Sequence, residues 1–484
     1  MNTITLRTRG GHPAWQCLAG AVGAAILAIG LVPATAVAQD TRDADEARDL
    51  IEEILVTARR REESLQEVPI AVTAVDGQKL IDMGAADISE LQALAPNLSI
   101  YPGRNQSTTL TAFVRGIGQA DPLWGVDPGV GLYIDDVYVA RPQGALLDVF
   151  DVARVEVLRG PQGTLYGKNT IGGAIKYVSK PLSDELEASV RLTAGEYDTL
   201  DAVARVSGSL IDGQLRGKIA VASLQRSGYG TNLVTRADVS DKDTLAFRGA
   251  LEWLPSESTS ILLSIDNTED RASPQGKTRI EANPLCPLFL GTTCGPLDNP
   301  YDVESGLIPT NGTDSKGVSL VINWGINDAW SFKSITADRE SDTNNNIDFD
   351  TTPARIVDVF AEYYDEQFTQ EFQFTYDAGG SLAGVFGAFY LDGKAGGLVR
   401  NIFVDSIFGT TDGRTETESI ALYTDWSYAL SDRLNLNFGA RLTDEEKRGV
   451  AFNAGYTDDT FETVALVLTD QDDRVTFDSV SPRL

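Results

Sequence analysis

The 484-residue chain carries 40 Lys and Arg against 70 Asp and Glu, a formal charge of −30, with 42% hydrophobic and 23% charged residues. So acidic a chain repels phosphate, which excludes nucleic acid as a main partner, and its balance of apolar and charged residues is that of a folded chain rather than a disordered one. The single histidine, His12, lies in a leader-like stretch. The mature chain therefore has no imidazole for a Ser-His-Asp or Cys-His triad, a His-ligated zinc or a His-held haem.

Residues 1–38 open with Arg7 and Arg9, continue as the apolar run CLAGAVGAAILAIGLV and end on Ala36, Val37, Ala38. A basic start, a short apolar core and a small-residue site predict a secretory signal peptide cleaved after Ala38. The apolar run falls short of the roughly 20 residues that a spanning helix needs. Export also favours a local disulfide between Cys286 and Cys294, which share a Pro/Gly-rich stretch.

Residues 39–50 are polar and charged. The segment IEEILVTARR then places a short β-prone patch of Ile54, Leu55 and Val56 between Glu52, Glu53 and the arginines 59–61. Near a polar terminus such a patch suits strand addition to a partner, in which backbone hydrogen bonds supply the affinity. VPIAVTAVD at 68–76 predicts a strand, and the Asp87-x-x-Glu90 capping box predicts a helix running to about Ala95, before Pro96. LTAFVRGIG and GVGLYIDDVYV read as strands, separated by the polar loop QADPLWGVDP. VARVEVLRGPQGTLYGKNTIGGAIKYVSKP reads as strands joined by sharp glycine turns.

Three apparent motifs here fail on spacing or geometry. GTLYGKN has three residues between its glycines and Asn169 in place of the magnesium-holding Ser or Thr of a phosphate loop. GVGLYI has Ile134 where a dinucleotide fingerprint needs glycine. Asp135 and Asp136, read as neighbours on a strand, would point to opposite faces and could not act as a catalytic pair.

From about 186 onward the pattern changes to period-2 alternation. Leu186, Ala188, Val190, Leu192 and Ala194 share one face, and similar runs recur to RVTFDSVSPRL for about twelve strands. Short turns at 212–213, 254–258 and 325–328 alternate with long polar stretches expected as loops at 269–315, 340–364 and 393–415. Strand number, alternating turn length, export and aromatics at strand ends (Trp253, Trp324, Trp330, Trp426, Tyr428) together predict an outer-membrane β-barrel rather than a soluble sandwich.

A globular domain leading into such a barrel resembles the TonB-dependent outer-membrane receptors. IEEILVTA at 51–58 is similar to their TonB box, and EVLRGPQGTLYGKNTIGGAIKYVSKP at 156–181 is very close to their plug signature. GLYIDDVYVARP, FVRGIG and LYTDWSYALSDRLNLNFGARLTDEEK match in form. The resemblance implies a signal peptide at 1–38, a periplasmic segment at 39–62 with the box, an α+β plug at 63–183 and a transmembrane antiparallel β-barrel from 184 to 484. Twelve strands would be about half of a 22-stranded barrel whose lumen holds the plug, so a chain truncated after Pro482, Arg483 and Leu484 is expected. A closed twelve-stranded barrel is the competing reading.

The resemblance further implies energy-coupled uptake of a scarce nutrient, by default a ferric siderophore, with carbohydrate or another nutrient as the alternative. A passive porin or adhesin is the reading of a different class. Glu53, Ile54, Leu55, Val56, Thr57 and Ala58 would bind TonB, which is driven by its inner-membrane energising complex. Arg104, Gln106, Asp121, Trp124 and Asp127 are the ligand-facing candidates on the plug loops. In the signature residues Arg159, Gly160, Gly163, Tyr166, Gly167 and Lys168, the two cations are expected to pair with barrel acids. Outer-membrane lipid and lipopolysaccharide are the expected surroundings. No catalytic residue, resident metal or cofactor is expected, iron entering only within a transported chelate, and with so few residues between Ala38 and Ile51 no signalling domain is expected.

Overall fold

The computed structural model describes residues 55–484 except 62, 67, 105–106, 274, 309 and 432. The expected leader, Glu53, Ile54 and Gln106 lie outside the described residues.

The plug is built on a five-stranded sheet in the order Ala71–Asp76, Val152–Arg159, Gly173–Ser179, Val130–Ile134, Val137–Val139. Gly173–Ser179 runs parallel to Val130–Ile134, and the other neighbours are antiparallel. A second sheet joins Leu98–Pro102, Leu110–Val114 and Ile117–Gly118. Val75, Leu80, Ile88, Leu91, Ile100, Val114, Leu132, Val155, Val157 and Ile175 form the core between them.

Two local expectations change. The element after Asp87 is a short 3-10 helix, Ile88–Ala93, which Asp87 does cap by accepting from Ser89 N at 2.8 Å. An α-helix lies earlier, at Gly77–Asp82, where the Asp76 carboxylate accepts from Gln78 N and Lys79 N. Six residues are too few for an apolar period to show. Asp135 and Asp136 are turn residues with φ of 47° and 71°, linking Val130–Ile134 to Val137–Val139. Positive φ at both central positions is the geometry of a tight hairpin turn, and it sends the two carboxylates to different partners.

The barrel portion is a single sheet of twelve strands, each antiparallel to its neighbour in sequence, from Glu187–Gly195 to Val464–Arg483. Among the described residues no ladder joins those two outer strands to each other. Much of 340–364 and 393–415, expected as loops, is strand: Trp330–Asp348 pairs with Val357–Asp377 up to Asp348 opposite Asp358, and Leu382–Phe403 pairs with Ile407–Ser431 up to Phe403 opposite Ile407. The 25 residues of Ile407–Ser431 far exceed what a ~30 Å hydrocarbon layer needs at ~3.4 Å per residue. Beyond the bilayer both faces of a strand are wet, so the apolar alternation fades while the hydrogen-bond ladder continues.

Alternation assigns the two faces. On one lie exposed Phe372, Phe374, Leu422, Tyr428 and Leu442, and on the other lie Gln367, Glu371, Asp425, Glu445 and Lys447. Trp324, Phe332, Phe374 and Phe386 stand opposite one another across four strands near the short turns, forming the aromatic band of a membrane interface. No helix among the described residues is long and apolar enough to cross a membrane.

Candidate functional site

The polar sheet face holds the plug, and the two ends of the plug are held differently. At the end near the short turns, Leu55 and Val56 pair with Ser64 and Glu63 as a small hairpin. Val56 and Ala58 are fully buried, and Leu55 is 47% exposed. Thr57 N donates to the Glu156 carboxylate at 3.1 and 3.3 Å. Lys176 Nζ donates to Thr57 O at 3.0 Å and to its Oγ1 at 2.6 Å, and Tyr166 Oη donates to the same carbonyl at 3.3 Å. These bonds occupy the backbone N–H and C=O of Thr57, groups that a strand-adding partner would need.

The arginines that follow fasten this segment to the sheet. Arg59 donates to Asp425 through Nε at 3.1 Å and, in a closer contact, through its terminal nitrogen, and also reaches Glu63 and Ser427 Oγ. Arg60 bridges Asp136 of the plug, at 3.4 Å, and Glu371 of the sheet, at 3.3 Å, and lies 4.5 Å from the Tyr166 ring centre. Asp136 also receives Lys176 at 2.9 Å and Lys333 at 2.7 Å. Burial opposes ionisation of Asp136, but Lys176, Lys333 and Arg60 outweigh it and hold the carboxyl well below the usual range. Burial, against the pull of Arg60, pushes the Tyr166 phenol well above its ordinary value, so it stays a neutral donor.

The signature residues serve this assembly. Gly160 and Gly167 have φ of +103° and +81°, and a Cβ on Gly167 would come 2.6 Å from the Arg441 guanidinium. Gly163 begins the turn whose next residue, Thr164, donates to Ser481 O at 3.3 Å. Lys168 pairs with Glu445 of the sheet at 3.1 Å. Arg159 does not pair with a barrel acid: among the described residues it has no ion pair, and its Nε is buried without a hydrogen-bond partner. It ends a plug-sheet strand opposite Gly173 and Ala71.

At the opposite end, Trp124 is 9% exposed and packs with Ile347, Val359, Ala361, Tyr363 and Val399. A Cβ on Gly397 or Gly413 would stand 3.1 Å from the indole, so these two strand glycines make its space. Tyr363 and Tyr364, expected in a loop, lie on the strand Val357–Asp377. Arg104 binds Asp121 at 2.9 Å in a partly exposed pair. Asp127 meets Lys447 closely, Arg141 at 3.8 Å and Lys168 at 4.0 Å. Burial opposes its ionisation, yet Lys168 and Lys447 bring its pKa below the usual value. The structure thus gathers Arg104, Asp121 and Trp124 at one end, and makes Asp127 a junction between plug and sheet. Cys286 and Cys294 are disulfide-bonded with Cα atoms 5.8 Å apart, in the long 271–310 connection at that same end.

Three roles escaped the sequence. Glu156, Arg59 and Lys176 looked like ordinary strand or flank charges. For Glu156 a signal was present: it is a carboxylate between Val155 and Val157, on a strand too apolar to leave it free.

A plug seated on the polar face of a sheet whose other face is apolar and aromatic-banded is the architecture of a plugged outer-membrane β-barrel. Two family models match accordingly, the TonB-dependent receptor plug domain over residues 64–174 and the TonB-dependent receptor-like β-barrel over 287–484. The chain belongs to the TonB-dependent receptors of the outer membrane. It is 31% identical over 218 residues to the pesticin receptor of Yersinia pestis, covering 44% of this chain and 30% of that one. It is 25% identical over 225 residues to the ferripyoverdine receptor of Pseudomonas aeruginosa, covering 46% and 26%. The solved ferric yersiniabactin uptake receptor of Yersinia pestis superposes with a TM-score of 0.71 at 20% identity, over 85% of this chain and 61% of that one. The ferric-catecholate import receptor of E. coli K12 gives 0.64 at 14% identity, over 87% and 64%. The matches to the two curated relatives span less than a third of their length.

Proposed function

We propose that this chain acts in TonB-dependent uptake of a ferric siderophore across the outer membrane. The observation that carries the reading is the docked 55–58 segment: a short strand held at the end of a plug, with the backbone N–H and C=O of Thr57 taken up by Glu156, Lys176 and Tyr166. An outer membrane holds no ATP and sustains no ion gradient, so accumulation needs work delivered from elsewhere. Ligand binding at the Trp124 end frees residues 51–58, TonB adds to them as a strand, and force then remodels the plug. The names of the matched relatives, receptors for ferripyoverdine, ferric yersiniabactin and ferric catecholate, support iron chelates as cargo. Iron is substrate in this reading, and the protein needs no resident cofactor and performs no catalysis. Lipopolysaccharide surrounds the long strand ends outside the bilayer.

Proline cannot donate to a ladder. Val56→Pro therefore abolishes uptake of iron-55-labelled siderophore while surface binding of the chelate remains. Undiminished transport by that variant, or transport insensitive to collapse of the proton gradient, would reject energy coupling in favour of a passive pore. A second reading, another bulky nutrient, is favoured by the match to a vitamin B12 transporter of Vibrio vulnificus at 23% identity. Competition between ferric chelates and cobalamin or oligosaccharides for binding separates the two.

A further inference from the structure

We propose that the tip of the hairpin formed by Trp330–Asp348 and Val357–Asp377, at the end opposite the docked segment, is a calcium site. Asp348, Asp350 and Asp358 each offer a carboxylate oxygen, and the three oxygens lie within 4.8 Å of one another. Asp350 is committed to the turn, one oxygen accepting from Thr352 N and the other from Ile356 N and Val357 N. The other two carboxylates are not saturated. Asp358 is 2% exposed, and its Oδ1, like Oδ2 of Asp348, is sealed from solvent with no hydrogen-bond partner. The nearby cation, Arg355, stands 3.7 Å from Asp358 and is shared with Asp405 and Asp459.

Three close carboxylates with part of one guanidinium leave negative charge that is costly to bury unless something neutralises it. Two free, solvent-sealed carboxylate oxygens in an all-oxygen cluster define a hard-cation site. Calcium, with six to eight oxygen ligands and tolerant geometry, suits carboxylates from a turn and two strand ends better than magnesium, which demands a near-ideal octahedron. The rival neutraliser is a proton shared between Asp348 and Asp358.

The position gives the ion a task. Asn283 Nδ2 donates to Asp350 O at 2.7 Å, the Arg279 guanidinium contacts Thr351 O, and Arg279 Nε donates to Gly295 O at 3.1 Å. The 271–310 connection, which carries the Cys286–Cys294 disulfide, thus docks on the same turn, and a cation there would fix this connection against the hairpin. The inference is independent of the cargo.

The test uses the full chain in detergent, stripped with EGTA and titrated with radioactive calcium chloride in excess magnesium. Expected is one more bound calcium per chain than in Asp348→Asn/Asp358→Asn, half-saturating at ~10⁻⁴–10⁻³ M as in other extracellular sites, and slower proteolysis within 271–310 of the unmodified protein when calcium is added. The subtraction removes calcium held by co-purified lipopolysaccharide. Equal binding by both proteins overturns the proposal. So does protection of the unmodified protein that ignores calcium and rises on acidification, the behaviour of a shared proton, and this arm does not depend on the variant folding.

Discussion

The two ends of the plug are built from different forces. The end that stores residues 55–58 is held by the buried charges Arg59, Arg60 and Lys176 and the partly exposed Lys333, each facing a carboxylate of plug or sheet. The Trp124 end is held by an apolar cluster and by the partly exposed pair of Arg104 and Asp121, with Asp127 and Lys447 as a charged junction to the sheet. Apolar packing is non-directional and yields gradually, whereas a buried ion pair is lost as a whole, leaving an uncompensated charge. In the proposed uptake, a plug so built adjusts to cargo at one end while its stored strand stays put until several pairs part together.

The contrast can be broken first at Asp136. Asp136→Asn leaves Lys176, Lys333 and Arg60 short of their shared partner, a loss of about 3–5 kcal/mol by the usual cost of breaking a buried pair. Trypsin then cleaves after Arg59, Arg60 or Arg61, sites protected in the unmodified protein, and N-terminal sequencing reads the cut. Trp124→Ala empties the other end and costs toward the lower part of ~3–5 kcal/mol. It weakens chelate binding in an equilibrium assay without opening the trypsin sites; cleavage in this variant would mean that the two ends are not separate. Arg104→Ala, at a partly exposed pair, changes stability by only ~0.2–1 kcal/mol, read as a small shift in thermal midpoint.

Acidity sharpens the same point. The folded-state pKa of Asp136 lies below its unfolded value of about 3.9, so its stabilisation is complete above the unfolded value and is lost only as pH falls through the folded one. Protection of the arginine sites at pH 5 should match that at pH 7, tested with an arginine-directed protease active at both; loss of protection already at pH 5 would place the restraint elsewhere.

Much of this was legible in the chain. Period-2 alternation marked the twelve strands because lipid demands an apolar face, and it failed at 340–364 and 393–415 because water outside the bilayer makes no such demand. The glycines of 156–181 marked the plug turns, where Gly160 and Gly167 hold positive φ. Leu55 and Val56 stood out as a β-prone patch between charges, but the restraint on them did not. Glu156, Glu371 and Asp425 hold residues far away along the chain, with separations of 99 for Thr57 with Glu156 and 366 for Arg59 with Asp425. Such pairings depend on how the plug seats in the sheet, which no local pattern encodes. Among the described residues Arg159 lacks its expected barrel acid, a pairing that local pattern likewise could not decide.

The most direct test of the account is the mobility of the stored segment. A nitroxide on Leu55→Cys, a partly exposed position beside buried Val56, reports it by electron paramagnetic resonance on the full chain in detergent. The account predicts an immobilised spectrum in the otherwise unmodified protein and a mobile one when Asp136→Asn is added. A label already mobile without that substitution, or one that stays immobilised with it, would contradict the storage of residues 55–58 by the buried charges around Asp136.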